Sequence, residues 1–178
     1  TWSIDGQEAT SGTAASINAT FGTITLDSNG VWKYTLDDTK VDFLASYETR
    51  EETFTIKVDD GNGGTDEFDL VVTIKGSNDV PDISGTLTQT VAEDASQLTV
   101  SGNLSDSDPD LSNTHSWSLV DPNSASGEYG LFSIDPTTGT WSYTLDNDKA
   151  QELAAGAIVE ERFTIQVNDN DGGIDTEV

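Results

Sequence analysis

FTIKVDDGNGG at residues 54–64 returns as FTIQVNDNDGG at residues 163–173. Each copy opens with apolar residues at alternate positions: Phe54, Ile56 and Val58, then Phe163, Ile165 and Val167, with Thr, Lys and Gln between them. Successive side chains of a β-strand point to opposite faces, so this spacing belongs to a strand with one buried face. Both copies then run into an acidic, glycine-rich turn. The stretch therefore establishes two things at once, a strand and a repeat.

The repetition spreads outward. VWKYTLDDTKVDFL (31–44) matches TWSYTLDNDKAQEL (140–153), FGTITLD (21–27) matches YGLFSID (129–135), and TWSI (1–4) matches SWSL (116–119). The period is near 110 residues, the mark of a tandem array. Small changes in spacing come from SNG (28–30) against PTTG (136–139) and from a longer loop after the first Trp. Segment 65–114 has no counterpart, and it must supply the end of one copy and the start of the next. Residues 1–79 read as a first repeat lacking its opening strands, and 80–178 as a second lacking its last strand. The chain starts at Thr1 and is expected to be a piece of something longer.

Strand patterns continue between the copies. Phe68, Leu70, Val72 and Ile74 alternate, as do Leu98, Val100 and Leu104, with Gly102 in register. The second copy is expected to hold strands at 82–91, 97–105, 116–120, 129–134, 140–145 and 162–168. Asn29-Gly30 and Pro136-Thr137-Thr138-Gly139 read as tight turns, and only 39–46 and 148–156 look helical. Short strands with polar backs and frequent turn signals predict an all-β chain of tandem antiparallel β-sandwiches. Trp2, Trp32, Trp117 and Trp141 are expected in the cores.

Composition narrows the chemistry. The 178 residues carry 33 Asp and Glu against 7 Lys and Arg, a formal net charge of -26. Such a charge opposes a compact state unless cations offset it, and it argues against nucleic acid, whose phosphates need Lys and Arg. Without cysteine there is no disulfide or thiolate metal site. No apolar run is long enough to cross a membrane. A single His and no Cys leave no nucleophile–base arrangement, so an enzyme is not expected.

The acidic residues follow the strand register. The buried face of 54–58 extends to Asp60 in one direction and Glu52 in the other, and the second copy repeats this with Asp169 and Glu161. Leu98, Val100, Gly102 and Leu104 lead to Asp106 and Asp108 in the motif DSDPD (106–110), while Leu70 to Gly76 leads to Asn78. Oxygen ligands on the core parity, just past a sandwich rim, suit a cation better than solvation. Following strand directions, Glu52, Asn78, Asp79, Asp106, Asp108 and Asp169 are expected to converge at the joint between the copies. An all-oxygen set suits a hard ion, and calcium accepts flexible coordination that magnesium does not. DSDPDL is not an EF-hand loop, because it has Pro at position four, no Gly at six and Trp117 at twelve. His115, the one His, is expected to pack or hydrogen-bond instead of binding metal.

GSNDVPDISG, TVAEDAS, NLSDSDPD, SNTHSWSL, GTWSYTLDN and FTIQVNDNDGG resemble the VCBS-type, cadherin-like repeats of large bacterial adhesins of the RTX type. The resemblance covers nearly the whole chain. It implies cadherin-like sandwiches in series, calcium at the joints, neighbouring repeats of the same chain as partners, secretion, and a Gram-negative cell surface. Asn78-Asp79-Val80-Pro81 is a shortened form of the cadherin linker pattern, and Glu48 stands where Ala157 lies in the second copy. The implied function is a calcium-stiffened extender that carries an adhesive tip for attachment and biofilm formation. Two other readings stay open at this point: a module that itself grips sugar or protein, and an acidic accessory domain whose charge serves hydration. The open edges of both partial repeats raise strand exchange with another molecule.

Overall fold

The computed structural model describes residues 1–178 and divides into two units, Thr1–Ser77 and Asn78–Val178. The division falls two residues before the one drawn from the repeats. The reason is local: the Asn78 amide donates to Asp169 and the Asp79 N–H donates to Asp110, so both residues are tied into the second unit.

The first unit contains β1 (Trp2–Ile4), β2 (Gln7–Ala9), β3 (Ala15–Asn18), β4 (Gly22–Leu26), β5 (Trp32–Leu36), β6 (Thr49–Asp59) and β7 (Thr65–Lys75). They form two antiparallel sheets, in the orders β2-β1-β6-β7 and β3-β4-β5. Ile4, Ala9, Phe54 and Ile56 from one sheet meet Ala15, Ile24 and Leu26 from the other. The longer loop after the first Trp thus holds a pair of short strands, β2 and β3.

The second unit contains β8 (Asp82–Gly85), β9 (Thr99–Ser107), β10 (Ser116–Leu119), β11 (Gly130–Ile134), β12 (Thr140–Leu145), the one-turn helix α1 (Asn147–Ala150), β13 (Ile165–Asn168) and β14 (Ile174–Glu177). Its sheets run β10-β13-β14 and β11-β12-β9-β8. Ile83, Leu104, Phe132 and Trp141 from one face Trp117, Leu119, Ile165 and Val167 from the other. Each unit is therefore an antiparallel β-sandwich, all-β as the alternation predicts.

The structure departs from the sequence expectations at several points. The strand expected over 82–91 stops at Gly85, whose φ of 120° breaks the ladder where a Cβ would stand 2.4 Å from the Asn103 carbonyl. The strand expected to be missing from the second repeat is present in part, because β14 pairs with β13 over four residues. Helix 148–156 shrinks to α1, and 39–46 holds only a short 3-10 turn at 38–40. Trp32 is 47% exposed, whereas its counterpart Trp141 is 8% exposed. The difference lies in the neighbour: β12 pairs with β9 along its outer edge, and β5 has no such strand.

One polar device recurs in both units. Gly22 has no side chain, and a Cβ there would stand 2.7 Å from the Tyr34 hydroxyl oxygen. The Tyr34 ring packs over that gap, and its hydroxyl donates to Glu52. Glu52 also accepts from the Phe21 N–H at 3.0 Å. Gly130, Tyr143, Glu161 and the Tyr129 N–H repeat the arrangement, with the last bond also 3.0 Å. Burial, and then the bond to the Glu carboxylate, push both tyrosine hydroxyls well above their usual range. A raised folded pKa means this stability is complete below the ordinary tyrosine value near 10 and is lost as pH rises beyond it. Tyr143→Phe should cost about 1.5 kcal/mol at neutral pH in urea unfolding. The loss of stability above about pH 10 should be smaller in a Tyr34→Phe, Tyr143→Phe double variant, and an unchanged alkaline slope would contradict the assignment.

Candidate metal centre

At one end of the second unit, β9 runs out through Asp106 and Ser107, which are paired with Ile83 and Asp82. Pro109 has no N–H to extend the ladder, so the chain turns. The turn closes on Asp108, whose Oδ1 accepts from the Asp110 N–H at 2.9 Å. This folds Asp110 inward, where its Oδ2 accepts from the Asp79 N–H at 2.8 Å. The Asn113 amide donates to Asn78 Oδ1 at 3.2 Å and to Asp110 Oδ2 at 3.4 Å.

The other wall is the loop after β13. Asp169 Oδ1 accepts from the N–H groups of Asp171, Gly172 and Gly173 at 2.7, 2.9 and 2.9 Å. Asp169 Oδ2 accepts from the Asn78 amide at 2.8 Å. A Cβ at Gly173 would stand 2.1 Å from Asp169 Oδ2 and 3.0 Å from the Asn78 amide, so only glycine lets the loop close this tightly. The DGNGG loop of the first unit repeats the local bonds, with Asp60 Oδ1 accepting from Asn62 and Gly64, yet Asp60 is exposed and Asp169 is 1% exposed.

His115 lies across the acids, touching Asp106 through Nδ1 and Asp108 through Nε2, the latter at 3.2 Å. The Lys and Arg ion pairs involve Asp37, Glu48, Glu67, Asp146 and Glu160. Asp110 is 2% exposed, and its Oδ1 is buried without a hydrogen-bond partner. Burial pushes the Asp110 carboxyl above the usual carboxylate range against the bond from Asp79, and the charges of Asp108, Asp79 and Asp171 add to the rise. Burial also works against an ionised Asp169, but the bonds from Asn78 and the loop N–H groups outweigh it and hold that carboxyl below the usual range.

Five of the six residues expected as ligands thus belong to one connected cluster: Asn78 joins Asp169, and Asp79 connects through Asp110 to Asp108, His115 and Asp106. Glu52 belongs to the first unit, where Tyr34 and Phe21 occupy its carboxylate, so its place is that of a structural acceptor. Asp110 and Asn113 were missed. Asp110 was within reach, since the alternation leading to Asp106 and Asp108 continues to it. No three His, Asp or Glu side chains form a ready-made metal cage, because the acids are engaged by N–H groups and by His115. The donor set still fits a hard cation: it is carboxylate and amide oxygen, largely buried, with an orphaned carboxylate atom inside it.

Residues 78–178 match the family model of the bacterial cadherin-like domain, and residues 2–73 match that of the bacterial Ig domain. No curated protein matches the chain. A solved structure of protocadherin gamma B2 extracellular cadherin domains 3–6 aligns over 99% of this chain and 39% of that one, at 17% identity and a TM-score of 0.44. The chain spans less than half the length of that protein's solved chain. With the cadherin-like model covering all of the second unit and more than half of the residues, the chain belongs to the bacterial cadherin-like domain family.

Proposed function

We propose that this chain is a calcium-stiffened spacer of a secreted bacterial surface adhesin. Membership in the cadherin-like and Ig-like domains supports the broader part, an extracellular module of the adhesive type and not a catalyst. The observation that carries the calcium part is Asp110 Oδ1, a buried carboxylate oxygen without a hydrogen-bond partner in a cluster that also holds Asp79, Asp106, Asp108, Asp169 and His115. A buried charge left unpaired costs free energy, and a bound cation removes that cost.

Asn78, Asp79, Asp106, Asp108, Asp110 and Asp169 would hold the ion, and calcium would supply the divalent charge that the cluster lacks. Asn78 and Asp79 stand where the second unit begins, so ordering them would stiffen the chain at its joint. Repetition favours a spacer, because length grows with copies. A rod of such modules would project an adhesive tip from a Gram-negative cell surface, in an adhesin of the RTX type that serves attachment and biofilm formation. Neighbouring repeats are its partners in this reading.

Extracellular calcium modules bind with Kd of roughly 10⁻⁴–10⁻³ M. At about 1 mM calcium, the tighter value stabilises the fold by about 1.4 kcal/mol per site. Melts at fixed ionic strength should show a clear rise with calcium, a small one with magnesium and none with chelator. Equal behaviour in all three would leave the acids as a solvated coat.

Asp110→Asn separates the two states further. In chelator it should stabilise the fold by about 1 kcal/mol, since it removes an unsatisfied buried charge, and it should abolish most of the calcium response. The raised pKa sets the pH dependence. Stability from protonating Asp110 is complete below the ordinary carboxylate value and is lost as pH rises through the folded pKa. The gain from Asp110→Asn should therefore shrink as pH falls. A variant that keeps the full calcium response would remove Asp110 from the site.

Small-angle scattering should show a longer, narrower distribution of molecular dimensions in calcium than in chelator. Identical profiles would refute the stiffening while leaving calcium binding intact.

A further inference from the structure

Asparagine followed by glycine occurs twice in the chain, at Asn29-Gly30 and at Asn62-Gly63. Such a step carries its own nucleophile. The backbone nitrogen of the glycine can close on the side-chain amide carbon, because no Cβ on the glycine obstructs the ring. Closure requires that this nitrogen and its peptide plane be free to turn.

The two steps differ in that respect. The Gly30 N–H donates to the Asp27 carbonyl at 3.1 Å, and a Cβ at Gly30 would stand 2.7 Å from the Trp2 ring. Asp27 Oδ1 also holds the Asn29 and Val31 N–H groups, at 2.8 and 2.9 Å, so this turn is pinned. In the loop between β6 and β7 the N–H groups of Gly61, Asn62 and Gly64 donate to the side chains of Asp59 or Asp60 at 2.7, 2.7 and 3.0 Å, and that of Gly63 has no acceptor. The space beside Gly63 is open to 4 Å, and residues 60–64 are all exposed. The Asn62 amide is held only by a 3.4 Å bond to the Asp60 carbonyl. Carboxylates stand near both steps and oppose loss of the glycine proton in each, so they do not separate them.

The second unit already carries the product of such a reaction. Its loop has Asp171 in the place of Asn62, and both residues donate their N–H to the Oδ1 of the preceding loop Asp at 2.7 Å. An acid therefore fits this turn.

We propose that Asn62 is a self-modifying site that converts to aspartate and isoaspartate. The Gly63 nitrogen gives its proton to solvent base and attacks Asn62 Cγ. A C–N bond forms, the Cγ–Nδ2 bond breaks, and the amide nitrogen leaves as ammonia with a proton from water. Water then opens the cyclic imide at either carbonyl and leaves a carboxylate. In sum, a water is consumed and an ammonia released, with no oxidant or reductant. The first loop thereby acquires the acid that the second loop already has, and the chain grows more acidic with age. Base drives the first step, so the rate rises with pH. This inference does not depend on calcium.

The test incubates the whole 178-residue chain in mildly alkaline, heavy-oxygen water and follows both Asn-Gly steps by peptide mass spectrometry. Solvent oxygen in the new carboxyl marks conversion during incubation and not during digestion. The expected result is an amide-to-acid mass gain at Asn62, with isoaspartate, at least about fivefold faster than at Asn29, the factor expected when one hydrogen bond must break before attack. In urea, where both loops are unfolded, the two rates should converge. Asn62→Asp should melt with the parent chain. Conversion at Asn29 as fast as at Asn62 in the folded chain, no conversion at Asn62, or a preference that persists in urea would overturn the proposal. A marked loss of Tm in Asn62→Asp would overturn the fit of an acid to this turn.

Discussion

An apolar sheet face has to be covered, and most of this structure follows from that constraint. Alternating residues place Phe54 and Ile56, or Ile165 and Val167, on one side of each strand, and the hydrophobic effect then requires a second sheet against that side. Both units meet the requirement with sheets of three and four strands. Where a neighbour is lacking, the consequence is immediate. Trp32 stands exposed while Trp141 is buried, although the two occupy equivalent positions.

The same alternation continues past the rim, where the physics changes. Inside the sandwich, the core parity means apolar contact. Beyond it, the same parity delivers Asp106, Asp108 and Asp110 into partly or fully buried positions among polar groups. The turn at Pro109 and the glycine loop after Asp169 bring these acids together with Asn78 and Asp79. Hydrogen bonds satisfy most of their oxygens, and one atom of Asp110 stays without a partner. The burial that stabilises the sandwich thus raises the electrostatic cost at its end, where a cation would reduce it.

Much was legible from residue patterns. The repeat, the strands, the sandwich class and five members of the acidic cluster followed from alternation and from where it leads. The fate of Glu52 was not, because parity gives the side of a strand and not the partner reached there. A tyrosine hydroxyl folded over a glycine occupies that carboxylate, and the tyrosine lies 18 residues away in sequence. The end of β8 at Gly85 was hidden for a similar reason, since it depends on the approach of the Asn103 carbonyl.

By itself the sequence determined periodicity, charge and the residues offered on each face, because these depend on neighbours along the chain. Tertiary structure alone decided which acids are buried and which oxygen lacks a partner. Those properties depend on which distant segments come within a few ångströms of one another. Asp60 and Asp169 show the distinction: the same loop bonds hold both, yet only Asp169 lies beneath Asn78, and only Asp169 is buried.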